Sequence, residues 1–306
     1  MSSTHEPGLR EQDHDLLPDT LEKAALEKDV DFTESSFFQV GRARRLPAVP
    51  SVDSNRQGTL VVSEMRLLIK FGPHVTIDEA VTMRAVRRRL GHRVPVPEVF
   101  GWRVRQDRVF IYMELISGLT LQEGWDDLNL SEKDSLCEQL GQILSSLLQL
   151  EQRDEFIGSV TRGPLLDRVF YDRPETRPFD GLDNFYNFLE WLPQRFLSTP
   201  QRHRDPYLEP LRLGEADPTG IKFTHADVHP TNIMVSASSN LGPPRILALI
   251  DWGQAGWYPD YWESFKMCYT TDPEGVWRNT YIPKIIEPRE YEQYLLAEYT
   301  MSIGAL

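Results

Sequence analysis

Apolar positions fall into two regimes along the chain. In the first third they form short, strand-length runs; beyond Gly118 they recur at helical spacing. Leu60-Val61-Val62 and Arg66-Leu67-Leu68-Ile69-Lys70-Phe71 predict two strands, the second closed by Gly72-Pro73. A helix follows from Ile77 to Leu90, stopped by Gly91. Val94-Pro95-Val96-Pro97 cannot be helical and predicts an extended connector. Val99 to Trp102 and Val109 to Leu115 predict two more strands around a turn at Gln106-Asp107. After Ser131, the positions Leu136, Leu140, Ile143, Leu144, Leu147 and Leu148 form the stripe of a long amphipathic helix. Residues 160–180 and 199–220 are broken by prolines, and Asn184 to Leu197 is helical and rich in aromatics. The expected class is α+β: a small β-rich N-terminal lobe over residues 37–117, a joint near Glu114–Gly118, and a larger, mainly helical lobe over 118–306. Two lobes enclose a cleft, and the chemistry belongs there. Residues 1–36 are polar and acidic and are expected to be an extension, partly disordered.

Charge narrows the partners. The net charge of −13 opposes counterion displacement from nucleic acid and polybasic contact with a membrane. Apolar runs are too short to span a bilayer, and the acidic N-terminus lacks a signal-peptide core. Cys137 and Cys268 read as buried thiols, which favours a reducing, cytoplasmic setting. The sequence is silent on protein partners.

The chemistry-bearing segment is Phe223-Thr224-His225-Ala226-Asp227-Val228-His229-Pro230-Thr231-Asn232, followed by Ile233-Met234-Val235 and, after a loop, Arg245 through Ile250-Asp251-Trp252-Gly253. An Asp-x4-Asn unit thus precedes a hairpin and an Asp-x-Gly follows it. Phosphoryl transfer requires such a set: one carboxylate orients the attacking hydroxyl, while a carboxylate and an amide oxygen hold Mg²⁺ against nucleotide phosphates. Taken singly, each has a plainer explanation: a turn or cap aspartate, a satisfied core histidine. His225 and His229 also suggest a metal site, but neither cysteine lies nearby in sequence.

The string resembles the aminoglycoside phosphotransferase and choline-kinase-like family, relatives of protein kinases. Val94-Pro95-Val96-Pro97-Glu98-Val99, Tyr112-Met113-Glu114-Leu115-Ile116 and Gly256-Trp257-Tyr258-Pro259-Asp260-Tyr261-Trp262-Glu263 look like its fungal branch, and the likeness covers about residues 37–300. The resemblance implies a two-lobed kinase-like fold and an ATP- and Mg²⁺-dependent kinase acting on a hydroxyl of a small metabolite. It implies Asp227 as catalytic base, His225 as a structural brace, and Asn232 and Asp251 as Mg²⁺ ligands. Tyr112 to Ile116 becomes the hinge, with Met113 lining the nucleotide pocket and the backbone of Glu114 and Ile116 on adenine. Asp260 is expected to hydrogen-bond the catalytic-loop backbone. Lys70 and Glu79 match a kinase ion pair. Thr76-Ile77-Asp78-Glu79 is also a capping-box pattern, yet Glu79 shares a helix face with Met83, Val86 and Leu90, and a buried carboxylate needs a partner.

Two departures stand out. No G-x-G-x-x-G lies between residues 37 and 70; Gly41 and Gly58 are isolated, and Arg42, Arg44 and Arg45 offer phosphate contacts or a solvated face. Gly253 stands where relatives of this branch commonly carry an acid. The missing glycine loop supports an alternative, a catalytically weak or inactive nucleotide-binding scaffold. A protein kinase is disfavoured, because no Ala-Pro-Glu follows Asp251. The cluster of Trp252, Trp257, Tyr258, Tyr261 and Trp262 reads as core rather than a cage for quaternary ammonium. His229 either touches the acceptor or packs in its loop, and the acceptor itself is expected against residues 160–215.

Overall fold

The computed structural model describes residues 16–39, 44–49, 57–170, 177–195, 205–213, 220–237 and 242–304. Gly41 and Arg42, residues 1–15 of the expected extension, and parts of 160–215 lie outside them.

The N-terminal lobe holds helix α1 (Asp19–Ala25), strand β1 (Asp29–Asp31), a turn of helix α2 (Ser36–Gln39), β2 (Gly58–Val62), β3 (Leu67–Gly72), α3 (Ile77–Leu90), β4 (Val99–Arg105) and β5 (Arg108–Glu114). Its antiparallel sheet runs β1-β4-β5-β3-β2. The β4–β5 hairpin closes on Gln106 and Asp107, both at positive φ, the geometry a two-residue turn demands. Strand β1 precedes residue 37, so the sheet draws on what sequence reading assigned to the extension. Gly101 permits this: a Cβ there would lie 2.2 Å from the Val30 carbonyl oxygen.

Strand alternation gives the sheet two faces. Leu67, Ile69, Phe71, Phe110 and Tyr112 pack with Phe37 and Phe100 on one. Ile111, Met113 and Trp102 join the main core under α3 on the other. Lys70 pairs across the ladder with Ile111, and Leu68 with Met113, so Lys70 shares the α3 face.

After the joint come β6 (Leu119–Thr120), α4 (Leu121–Gly124), α5 (Leu130–Leu148), α6 (Gly181–Trp191), α7 (Leu208–Leu213), β7 (Ile221–Thr224), β8 (Ile233–Val235), β9 (Ile246–Leu249), β10 (Gly256–Pro259), α8 (Trp262–Tyr269), α9 (Ile282–Ile285) and α10 (Glu290–Ser302). Helix α5 starts one residue before Ser131, because Asn129 and Glu132 form a reciprocal capping box. Its Leu136, Leu140, Ile143, Leu144 and Leu147 are buried, as the stripe predicts. Strands β6, β8 and β9 form one small sheet, and β7 pairs with β10. The hairpin expected from Ile233 to Ile250 is β8–β9. Trp252, Trp257, Tyr258, Tyr261 and Trp262 are all buried and serve as core. Both cysteines are free and buried. Among the described residues no helix is long and apolar enough to cross a membrane.

Candidate active site

Two backbone bonds draw the motifs together. The Leu249 N–H donates to the Pro95 carbonyl (2.9 Å), fastening the extended connector to β9. The Ile250 N–H donates to the Asn232 carbonyl (2.9 Å), which sets Asn232 beside Asp251. Asp227 follows β7 and Asp251 follows β9. Ala226 and Asp251 adopt left-handed backbone conformations at φ 62° and 64°. Non-glycine residues resist that region, and such strain collects where the fold must aim a side chain.

Lys70 Nζ donates to Glu79 Oε1 (2.6 Å) and to Asp251 Oδ1 (2.8 Å). Glu79 is almost fully enclosed, and its carboxylate is what makes α3 depart from its capping pattern. Thr76 Oγ1 accepts the Glu79 N–H (3.2 Å), but the Glu79 side chain turns to Lys70 instead of returning to the cap. Burial opposes charge on Lys70, yet the Glu79 and Asp251 carboxylates together raise its pKa. Burial likewise opposes charge on Asp251, and the Lys70 ammonium beside it holds its carboxyl below the usual range. Burial pushes the Glu79 carboxyl up, and the Lys70 ammonium opposes that rise.

Asp227 and Asn232 form a second unit. The Asn232 amide nitrogen donates to the Asp227 carbonyl (2.9 Å) and to Asp227 Oδ2 (2.9 Å). Only the NH₂ end can serve two acceptors, so the amide oxygen is left for another partner. His225 is fully buried; burial drives its pKa down to about 4. Its Nδ1 accepts the Asp227 N–H (3.2 Å), which puts the proton of the neutral ring on Nε2. The ring meets Trp252 edge-on at 4.5 Å. His229 Nδ1 is 2.9 Å from Thr231 Oγ1, so the ring braces its own loop while also lining a cavity beside it.

The brace beneath the loop is Glu263, not Asp260. Glu263 Oε2 accepts the N–H groups of His225 (2.7 Å) and Ala226 (3.4 Å). Asp260 instead exchanges bonds with Gly220, ahead of β7. Burial pushes the Glu263 carboxyl up to about 7 despite those two donors. A further buried network escaped sequence reading: Lys266 Nζ donates to Asp167 Oδ1 (2.6 Å) and Gln254 Oε1 (3.0 Å), and Trp262 Nε1 to Asp167 Oδ2 (2.9 Å). Gln254 Oε1 also accepts the Arg168 N–H (2.9 Å), which ties the 167–170 turn to the segment after Asp251. The available signal was two charged residues, Glu263 and Lys266, inside an otherwise enclosed helix.

Met113 is buried on the Lys70 face of the sheet. The Glu114 N–H donates to the Glu98 carbonyl (2.8 Å), and the chain leaves the sheet toward Ile116. Arg44 stacks on Phe37 at 5.1 Å rather than entering the cleft. At Gly253 a Cβ would lie 3.6 Å from Glu79 and 3.7 Å from Asp251, so an acid there would meet two carboxylates. Among the described residues, the cavities beside His229 are lined mainly by residues 265–301, and Arg168 joins them from the 160–215 segment expected from sequence.

Comparison with known proteins gives this geometry a family. Residues 48–296 match the model of APH, the phosphotransferase enzyme family. The chain belongs to the phosphotransferase enzyme family. The match takes in Lys70, Glu79, Met113, Glu114, Ile116, His225, Asp227, Asn232 and Asp251. Membership makes the protein a small-molecule kinase, passing phosphate to a hydroxyl group. Among solved structures, a thermostable mutant of aminoglycoside phosphotransferase APH(4)-Ia, in ternary complex with AMP-PNP and hygromycin B, is 18% identical, with a TM-score of 0.52 over 84% of this chain and 83% of that one. That likeness gives this phosphotransferase its kinase-like fold. A GDP complex of aminoglycoside 2'-phosphotransferase-IIIa is 15% identical with a TM-score of 0.47, covering 84% of this chain and 93% of that one. No curated protein matches the chain significantly.

Proposed function

We propose that this phosphotransferase uses ATP and Mg²⁺ to phosphorylate a hydroxyl of a small metabolite in the cytoplasm. The observation that carries the reading is the adjacency of two units, Lys70–Glu79–Asp251 and Asp227–Asn232. Lys70, fixed by Glu79, steadies the α- and β-phosphates. Met113 lines the adenine side. With its N–H given to Glu98, Glu114 offers adenine its carbonyl, and Ile116 its backbone beyond the strand. Asp227 orients the acceptor and takes its proton as the hydroxyl oxygen bonds to the γ-phosphorus. The bond from that phosphorus to the β–γ bridging oxygen breaks, and ADP departs. His225 keeps the loop in shape from beneath.

Asn232 and Asp251 suit a hard cation. The Asn232 amide nitrogen is committed to Asp227, which leaves its oxygen, and the Asp251 carboxylate is 42% exposed. Two protein oxygens suffice where water and phosphate complete the octahedron. Bound Mg²⁺ would neutralise charge on the phosphates. Free, buried cysteines fit a reducing compartment, and the Pro-rich connector Val94–Val99 and the segment Gly256–Glu263 support the fungal branch.

The test is transfer from γ-labelled ATP to a panel of hydroxyl metabolites, with Asp227→Asn as the control. Phosphorylated product is expected from the native chain, with turnover lowered by about 10²–10⁴-fold in the variant. Equal turnover by both would remove Asp227 from the chemistry.

A further inference from the structure

Two cavities sharing three wall residues open beside the catalytic loop. The smaller, about 270 Å³, is lined by His229 and Pro230 together with Thr270, Thr271 and Arg278. The larger, about 710 Å³, shares those last three residues and continues between α8 and α10. Its volume is in the range that encloses a small molecule. Phe265, Cys268, Ala297 and Met301 give it apolar walls.

Its charge is unlike that of the molecule around it. The chain carries a net −13, yet the only charged side chains among the described residues lining the larger cavity are Arg168 and Arg278. Arg278 donates from Nη1 to the Cys268 carbonyl (3.1 Å), one of the five N–H bonds in its fork. Arg168 is exposed, and its backbone is pinned through Gln254 to the buried Lys266–Asp167 pair. Arg168 itself lines the larger cavity, which shares Thr270, Thr271 and Arg278 with the cavity that His229 lines. Asp126 and Asp272 line the smaller cavity, but both are exposed to solvent.

We propose that the paired cavities hold the acceptor, and that the acceptor is an anionic hydroxyl compound with an apolar body. Its carboxylate or phosphate group sits on Arg168 and Arg278, its body lies against Phe265 and Met301, and its hydroxyl reaches Asp227 past His229. The proposal rests on the phosphotransferase reading above and adds the charge of the substrate. Arginine forks match carboxylate and phosphate oxygens, while a polycation would meet two guanidinium groups and no described carboxylate in the larger cavity.

Two probes with one body and opposite charge test this: 4-(hydroxymethyl)benzoate and 4-(hydroxymethyl)benzylamine. Each is titrated calorimetrically into the full chain with Mg²⁺ and AMP-PNP present. The benzoate is expected to bind about tenfold more tightly, the worth of one charged hydrogen bond. Arg168→Glu should abolish that preference and Arg278→Gln should reduce it; melting temperatures without ligand report each variant's fold. Tighter binding of the amine, a preference unmoved by both substitutions, or no binding of either probe at millimolar concentration to folded protein would overturn the proposal. ADP release with ATP is followed in parallel. An arginine-dependent preference without any nucleotide binding would instead sink the kinase reading and leave the anion pocket standing.

Discussion

Replacing Glu263 by glutamine separates two opposed titrations under the catalytic loop. The amide oxygen can still accept the His225 and Ala226 N–H bonds that the carboxylate holds at 2.7 and 3.4 Å, but it cannot ionise. In the native chain, burial raises the Glu263 pKa from 4.5 to about 7. Between those values the folded state keeps a proton that the unfolded state releases. Stability from this group is therefore full below pH 4.5 and is lost as pH rises to about 7. His225 runs the other way. Burial lowers its pKa from 6.5 to about 4, so the unfolded state takes up a proton that the folded state refuses. Its contribution is full above pH 6.5 and is lost as pH falls toward 4. Each displacement is about 2.5 pH units, or about 3 kcal/mol. Across pH 4.5–6.5 the two nearly cancel. Glu263→Gln should expose the histidine alone: relative to the native chain, the variant gains about 3 kcal/mol between pH 4.5 and 7.5. Urea unfolding followed by tryptophan fluorescence at four pH values measures the difference. Parallel stability curves for the two proteins would refute a titrating, buried Glu263.

Other substitutions probe the frame of the site. Lys266→Met leaves Asp167 charged and enclosed, and should cost about 3–5 kcal/mol in urea unfolding; adding Asp167→Asn should recover part of that, because the amide oxygen can still accept from Trp262. Gly118→Ala puts a Cβ 2.5 Å from the Val235 carbonyl oxygen, where the joint meets β8. That crowding should destabilise the chain by about 1–3 kcal/mol, visible as a lower melting temperature; an unchanged melting temperature would mean the joint yields.

What the sequence made legible was local or motif-borne. Helix α3 reads directly because Thr76 caps it, Gly91 ends it and its apolar face is regular. The hairpin β8–β9 reads because Ile233 to Val235 and Ile246 to Ile250 are short apolar runs around a loop, which puts Asp227 and Asn232 before it and Asp251 after it. The Glu79 ambiguity reads only halfway: a capping pattern and an ion-pair partner use the same residue, and the structure takes one bond from each. Strand β1 is illegible, since Asp29-Val30-Asp31 has no hydrophobic run and forms only because Gly101 admits it. The brace was misassigned to Asp260 because Glu263 is three residues farther along the same segment, and only the turn entering α8 decides which carboxylate lies under the loop. The cavities beside His229 are illegible for a similar reason: among the described residues their walls come largely from α8, the 270–278 segment and α10, and no local pattern reports which distant helices will flank a loop.

The central claim is that Lys70 and Asp251 form a Mg²⁺-dependent ATP site in this phosphotransferase. A thermal shift with millimolar ATP, with and without Mg²⁺, tests it on the native chain, Lys70→Ala and Asp251→Ala. At a hundredfold excess over Kd, ligand linkage is worth about 2.7 kcal/mol, ample for a measurable rise in Tm. The account predicts a rise that requires Mg²⁺ and is lost in both variants. No rise in the folded native chain, or a rise of equal size in Asp251→Ala, would contradict it.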